Sequence, residues 1–238
     1  MTVHDPHGIR LGDALTALRA LVADPDDTAQ VFRIIDALSG HNGDRTLRRL
    51  RHSRTGKELL AARPDVLSLL LDRATLEKLP AGTLGREYLR FLDSEGITAE
   101  GLRQASIEGH SDVKPHVDPD AYFLRDRLRD THDLWHTVTG YKGDLIGEAS
   151  LLAFSFAQTW NPGVGLIVLT ALVRGNEPGV RKLIAGGFVR GVRSAWLPSV
   201  KWEDLLARPL EDVRRELRVG APVTYEPFRT SAFRPVAA

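Results

Sequence analysis

LLAFSFAQTWNPGVGLIVLTALV, residues 151–173, is a long apolar stretch, and its reading decides the fold. Taken as one helix it would approach the roughly 20 apolar residues that cross a bilayer. Ser155, Gln158, Thr159, Asn161 and Thr170 break the apolar character, and Pro162-Gly163 breaks the helix, because proline lacks the N–H that a helix interior needs. A spanning helix would press those polar groups against hydrocarbon. The stretch therefore reads as two core helices joined near Trp160-Asn161-Pro162-Gly163.

Outward from this pair, helical periodicity dominates and strand signals are scarce. Leu11, Leu15, Leu18 and Leu21-Val22 form an apolar stripe, and Asp26-Asp27-Thr28 offer caps for a helix carrying Val31, Ile34-Ile35 and Leu38, ended by Ser39–Gly43. Caps at Thr55 and Asp65 predict two short helices. Thr83 caps Leu84–Leu92, Gly96 stops that helix, and Thr98 caps another. A loop is expected around His110–His116, after which Asp118-Pro119 opens a long helix with proline at its first position. Glu177-Pro178 opens one more, which Gly186-Gly187 interrupts. Trp202–Leu206 and Pro209–Leu217 predict a terminal helical pair, followed by an extended tail over about 221–238. The expected architecture is all-α: one domain over residues 1–238, a multi-helix bundle with an apolar groove between helices.

The 238 residues carry 32 Lys and Arg against 31 Asp and Glu, a net charge of +1, which removes the electrostatic case for general nucleic-acid binding. Cysteine is absent, so disulfides, thiolate metal ligands and a cysteine nucleophile are excluded. The first residues, MTVHDPHGIR, lack the basic-then-apolar pattern of a secretory signal. A cytoplasmic protein, or one peripheral to a membrane, is expected.

The chemistry concentrates on the Asp118 helix. It carries His132-Asp133-Leu134-Trp135-His136, and Glu148 follows after eleven residues. Histidines four apart on a helix project the same way, since one turn takes 3.6 residues, so two imidazoles can share an ion and a carboxylate from the next helix can close the site. Leu124, Leu128, Thr131, Trp135 and Val138 form a core seam. Arg125, Arg129, His132 and His136 fall on an adjacent narrow arc, flanked by Asp133. Arginines one and two turns below a dication favour a site that also takes an anionic ligand. The plainer alternative is a pair of hydrogen-bonded histidines with Asp133 paired to Arg129. His4, His7, His41, His52, His110 and His116 lack such spacing and read as solvated. Gly163-Val164-Gly165 and Gly186-Gly187 are weak as phosphate loops and read as helix packing.

These residues resemble the ubiquinone biosynthesis protein 4 (coenzyme Q protein 4) family, whose hallmark is His-Asp-x-x-His followed after eleven residues by Glu. His132, Asp133, His136 and Glu148 match it. Asp24–Thr28, Leu79-Pro80-x-Gly82–Tyr88, Tyr122 with Arg127 and Arg129, Trp202-Glu203, and Pro209-Leu210-x-x-Val213-Arg214-x-x-Leu217 are similar to its flanking pattern in the same order.

The resemblance implies an all-α fold and a divalent metal held by His132, Asp133, His136 and Glu148, with zinc foremost and iron, manganese or cobalt also compatible. It further implies a role in coenzyme Q synthesis with other ubiquinone biosynthesis proteins: oxidative decarboxylation with hydroxylation at ring carbon 1 of a prenylated 4-hydroxybenzoate-derived precursor. His132, Asp133, His136 and Glu148 would be catalytic. Arg125 and Arg129 would offset the substrate's charge, and Phe154, Phe156 and Trp160 would line a groove for its prenyl tail, unless that stretch is ordinary core. Peripheral association with the inner face of the cell membrane and a homodimer are expected. The alternatives are a non-catalytic scaffold that binds metal and prenyl lipid, or an enzyme acting on another aromatic or prenylated substrate.

Overall fold

The computed structural model describes residues 8–98, 101, 104, 118–175 and 179–227. Among them every regular element is helical: α1 (Leu11–Ala23), α2 (Thr28–Leu38), α3 (Asn42–His52), α4 (Arg54–Ala62), α5 (Val66–Leu71), α6 (Arg73–Glu77), α7 (Leu84–Glu95), α8 (Pro119–Asp130), α9 (His132–Thr139), α10 (Leu145–Thr159), α11 (Pro162–Arg174), α12 (Val180–Arg193) and α13 (Leu210–Leu217). Short 3-10 turns at Leu197–Ser199 and Trp202–Asp204 connect α12 to α13. The all-α bundle expected from periodicity is what the chain forms.

The apolar stretch divides where its sequence divides. α10 ends as Trp160 turns left-handed (φ 53°), and the Asn161 side chain caps α11 by accepting from Gly163 N and Val164 N. This turn is also stitched to the N-terminal helices. Asn42 Nδ2 donates to the Thr159 and Trp160 carbonyls at 3.0 and 2.9 Å, and Asn161 Nδ2 donates to Ser39 Oγ at 3.0 Å. Among the described residues no helix is long and apolar enough to cross a membrane.

The main core gathers side chains from α7, α9, α10 and α13, among them Tyr88, Leu134, Trp135, Val138 and Phe154, and Trp202 from the second 3-10 turn. α10 and α12 pack closely along their length: a Cβ on Gly187 would overlap the Ser150 carbonyl oxygen, so only glycine lets the two backbones approach this far. Gln158, buried between them, donates to Gly191 O at 2.6 Å and accepts from Leu197 N at 2.8 Å.

Several expectations are corrected. α1 buries Ala14 and Ala17, whose small side chains let it lie close on α2; of the expected stripe, Leu18 and Leu21 pack against this core while Leu11 and Leu15 are exposed. Ser53, rather than Thr55, caps α4 by accepting from Gly56 N, because it is the last residue with extended backbone. The Asn42–His52 helix begins inside the segment read as a terminator. α12 runs unbroken through Gly186-Gly187, since tight packing compensates the weak helix propensity of glycine. The expected Trp202–Leu206 helix is only a 3-10 turn at Trp202–Asp204, with Arg208-Pro209 close behind it. Residues 221–227 are irregular, as expected of a tail; the rest of that tail, the His110–His116 loop and Glu177-Pro178 lie outside the described residues.

The correction that matters most for the site falls at Thr131. The expected long helix from Asp118 is two helices. Thr131 leaves helical geometry (φ −92°, ψ 2°) while its hydroxyl donates back to Arg127 O at 2.8 Å. Asp118 caps α8 as expected, with Pro119 first. Both histidines stay together on α9, so their i, i+4 relation survives, but the arginines ride on another helix.

Candidate metal centre

α9 supplies the two imidazoles and the first turn of α10 supplies the carboxylate. His136 Nε2 lies 3.1 Å from Glu148 Oε1, and His132 Nε2 lies 3.8 Å from Glu148 Oε2. One donor atom from each residue falls within 4.8 Å of the others. Ligands about 2.1 Å from one tetrahedral ion stand about 3.4 Å apart, so small side-chain adjustments would bring all three onto a common cation.

The environment of His136 sets its chemistry. The residue is 1% exposed, and its Nδ1 sits 3.0 Å from the Tyr141 carbonyl, a partner that only accepts. Nδ1 therefore carries a proton, and in the neutral ring Nε2 presents a lone pair. That lone pair faces a carboxylate oxygen, and Nε2 makes no aligned hydrogen bond. Two acceptors in van der Waals contact repel unless a cation separates them. Either a second ring proton or a metal ion must supply the positive charge, and the residues present fit a metal. Phe91 stacks on the ring (centroids 5.0 Å apart, planes 16°), fixing its orientation.

Without a metal, the pair behaves as an ion pair. Burial alone would lower the His136 pKa, but the Glu148 carboxylate, helped by Asp133, outweighs it and raises that pKa. Burial would raise Glu148, but the His136 charge brings it down to about 2. Glu148 is also the residue of the three most open to solvent, with 41% of its side chain exposed.

Asp133 is placed differently from the other three. Its Oδ1 meets His132 Nδ1 at 3.2 Å, and the residue is 5% exposed. Its position orients the His132 ring from behind, leaving Nε2 to face Glu148. Arg125 is paired with Asp126 and lies over the Tyr122 ring; Arg129 is paired with Asp126 and Asp130. Phe154 is fully buried against Trp135, while Phe156 and Trp160 cluster with Phe188. The structure thus gathers His132, His136 and Glu148 with Asp133 behind them, and does not gather the two arginines or three aromatics around them. Sequence reasoning also missed Phe91 and the Tyr141 carbonyl, neither of which carries a motif of its own.

A cleft of about 750 Å3 reaches His136. Phe91, Arg90, Lys142, Arg214 and Pro222 are among its lining. Arg214 supports the floor by donating to the Val138 and Thr137 carbonyls at 2.9 and 3.0 Å. The flanking sequence patterns meet around this frame. Arg127 forms a buried two-bond pair with Glu203 at 2.6 and 2.8 Å, Leu84 N and Gly85 N donate to the Arg208 and Leu206 carbonyls, and Thr83 bridges to Pro209.

A family model described as coenzyme Q (ubiquinone) biosynthesis protein Coq4 matches residues 11–222, which include all four motif residues. The chain belongs to the Coq4 family. Among its relatives, the mitochondrial ubiquinone biosynthesis protein coq-4 of Neurospora crassa is 31% identical over 89% of this chain and 55% of its own length. The mitochondrial COQ4 protein of Yarrowia lipolytica is 33% identical over 71% of this chain and 63% of its own length. The chain thus spans little more than half of these curated relatives. A crystal structure of a Nostoc punctiforme protein assigned to ubiquinone biosynthesis superposes with a TM-score of 0.64 at 25% identity, covering 89% of this chain and 99% of that one.

Proposed function

We propose that this Coq4-family chain acts in ubiquinone biosynthesis as a metal-dependent oxidative decarboxylase, replacing the carboxylate at ring carbon 1 of a prenylated 4-hydroxybenzoate-derived precursor by hydroxyl. The observation that carries this reading is the convergence of two imidazole Nε2 atoms on one carboxylate, one of them a buried lone pair facing oxygen. Bonds and electrons balance as two carboxylated rings and one dioxygen giving two hydroxylated rings and two carbon dioxide. Each ring carbon loses its C–C bond to the carboxyl, gains a C–O bond and gives up two electrons with that carboxyl carbon.

His132, His136 and Glu148 would hold the metal, which supplies Lewis acidity and, if redox-active, a path for electrons to dioxygen. Asp133 keeps the His132 ring turned so that Nε2 faces inward. The Tyr141 carbonyl keeps the His136 proton on Nδ1. Phe91 shields the buried ring from water and presents an aromatic wall beside it. Lys142, at the cleft, offers a cation for the ring carboxylate, a role the sequence pattern assigned to Arg125 and Arg129.

A polyprenyl substrate is delivered from a membrane, and peripheral contact is supported by apolar side chains left exposed on α11, α12 and the turn before them: Trp160, Leu169, Val173, Val189 and Val192. Association with other ubiquinone biosynthesis proteins follows from the same role.

The test is turnover of purified protein with metal, oxygen and a prenylated, carbon-1 carboxylated precursor, alongside elemental analysis for zinc, iron, manganese and cobalt. Released carbon dioxide with a hydroxylated ring, abolished in Glu148→Ala, supports the enzyme. Metal and lipid binding without turnover supports the scaffold instead.

A further inference from the structure

The five residues between α9 and α10, Gly140–Asp144, fix how far the histidines stand from Glu148. One end of this loop supplies the Tyr141 carbonyl that holds His136 Nδ1. The other end supplies Asp144, 2% exposed, whose Oδ2 caps α10 by accepting from Ile146 N at 3.2 Å and whose carbonyl accepts from Glu148 N at 2.8 Å. Any shift of this loop moves one metal-facing group relative to the other.

The loop is clamped by the segment after α13. Tyr225 Oη donates to Asp144 Oδ1 at 2.6 Å and accepts from Lys142 N at 2.9 Å, so one hydroxyl spans most of the loop. Burial, and then the bond to Asp144, push the Tyr225 pKa up, so the hydroxyl remains a donor. Space for it exists only because residue 147 is glycine: a Cβ there would overlap the Tyr225 hydroxyl oxygen and the Lys142 carbonyl. Gly147 immediately precedes Glu148. Pro222 packs on Gly140 at the loop's start, where φ is +78° and a Cβ would stand 2.7 Å from the proline ring.

The segment is itself anchored. Arg190 Nε donates to Val219 O at 3.0 Å, and Arg190 Nη2 donates to Ala221 O at 3.1 Å and to Thr139 O, at the end of α9, at 2.8 Å. One guanidinium therefore joins the segment to the histidine helix, and one phenol joins it to the carboxylate helix. Tyr225 lies beyond the span matched by the family model, which ends at 222.

We propose that Tyr225 is a positioning residue for the metal centre, holding the Gly140–Asp144 loop so that Glu148 stays in register with His132 and His136. The inference rests on the metal-site reading above. It predicts that Tyr225→Phe, which keeps the ring but removes both hydroxyl bonds, weakens metal affinity by up to about 10-fold, the lower end of the range for losing a partner bonded directly to a ligand.

The experiment uses the full chain, folded by circular dichroism, with zinc affinity measured by chelator competition and cobalt(II) absorption as a report on coordination geometry. Ile34→Ala, in the separate α1–α2 core cluster, serves as a destabilised control. Weakened zinc binding and an altered cobalt spectrum in Tyr225→Phe, with neither in Ile34→Ala, support the proposal. Unchanged affinity and spectrum in Tyr225→Phe overturn it, as does an equal loss in both variants, which would mean general destabilisation. If the parent protein binds neither metal, the metal-site reading itself fails, an outcome distinct from the other two.

Discussion

Helix α10 is held along two seams of opposite character. Against α12 it makes a dry seam, with glycine at the closest approach and Gln158 bonded on both sides. Against α9 its first turn makes a polar seam, where an acidic side chain faces two imidazoles and no aligned hydrogen bond satisfies His136 Nε2. The first seam is complete within the protein chain; the second needs a cation to complete it. The contrast teaches that stability and chemistry are divided between two faces of one helix. The rigid seam holds Glu148 facing the two imidazoles, where a positive charge on His136 or a bound cation favours its carboxylate.

The largest expected effect comes from removing the buried imidazole. His136→Ala should lower metal affinity by more than the roughly 100-fold that loss of outer-sphere support produces, read by titration with a chelator competitor. Retained affinity would detach the polar seam from metal binding. Attacking the other seam should affect stability instead. Gly187→Ala forces α10 and α12 apart and should cost about 1–3 kcal/mol, read by denaturant unfolding, with about 2–4 °C of Tm lost per kcal/mol. Asp133→Asn leaves the ligands in place but weakens the hold on His132, for an expected 10- to 100-fold drop in metal affinity. If Gly187→Ala changes affinity as much as Asp133→Asn does, the division of labour between the seams is wrong.

The smallest effect is a pH dependence of the metal-free protein. His136 has a raised folded pKa, so its contribution is fully present below its unfolded value near 6.5 and is lost as pH rises through the folded value. Glu148 has a lowered folded pKa, so its contribution is present above about 4.5 and is lost as pH falls toward 2. Chelated protein should show its largest stabilisation from this pair between about pH 4.5 and 6.5. Metal loading, which needs the unprotonated Nε2, should release protons and tighten as pH rises. A thermal-shift series with and without chelator checks both signs; a Glu148→Gln variant should flatten the chelated profile.

What the sequence made legible follows period and spacing. The split of residues 151–173, the proline start of α8 and the shared direction of His132 and His136 are local consequences of chain chemistry, and all three hold. What escaped depends on contacts distant in sequence. Thr131 interrupts the expected helix at a single residue that no helical pattern announces, so Arg125 and Arg129 lie on α8 and the histidines on α9. Phe91, Tyr141 and Tyr225 reach the site through stacking, a backbone carbonyl and an irregular segment, none of which leaves a periodic signal. The aromatic residues of α10 were read both as groove and as core; Phe154 is core.

The stitch between the α2–α3 turn and the α10–α11 turn ties an early segment of the chain to a late one. Asn42 finds its acceptors 117 and 118 residues downstream, and Ser39 finds its donor 122 residues downstream. α1 and α2 cover one another through Ala14, Ala17, Ile34 and Ala37 early in the chain, but the α2–α3 turn gains these bonds only once residues 159–161 have been made.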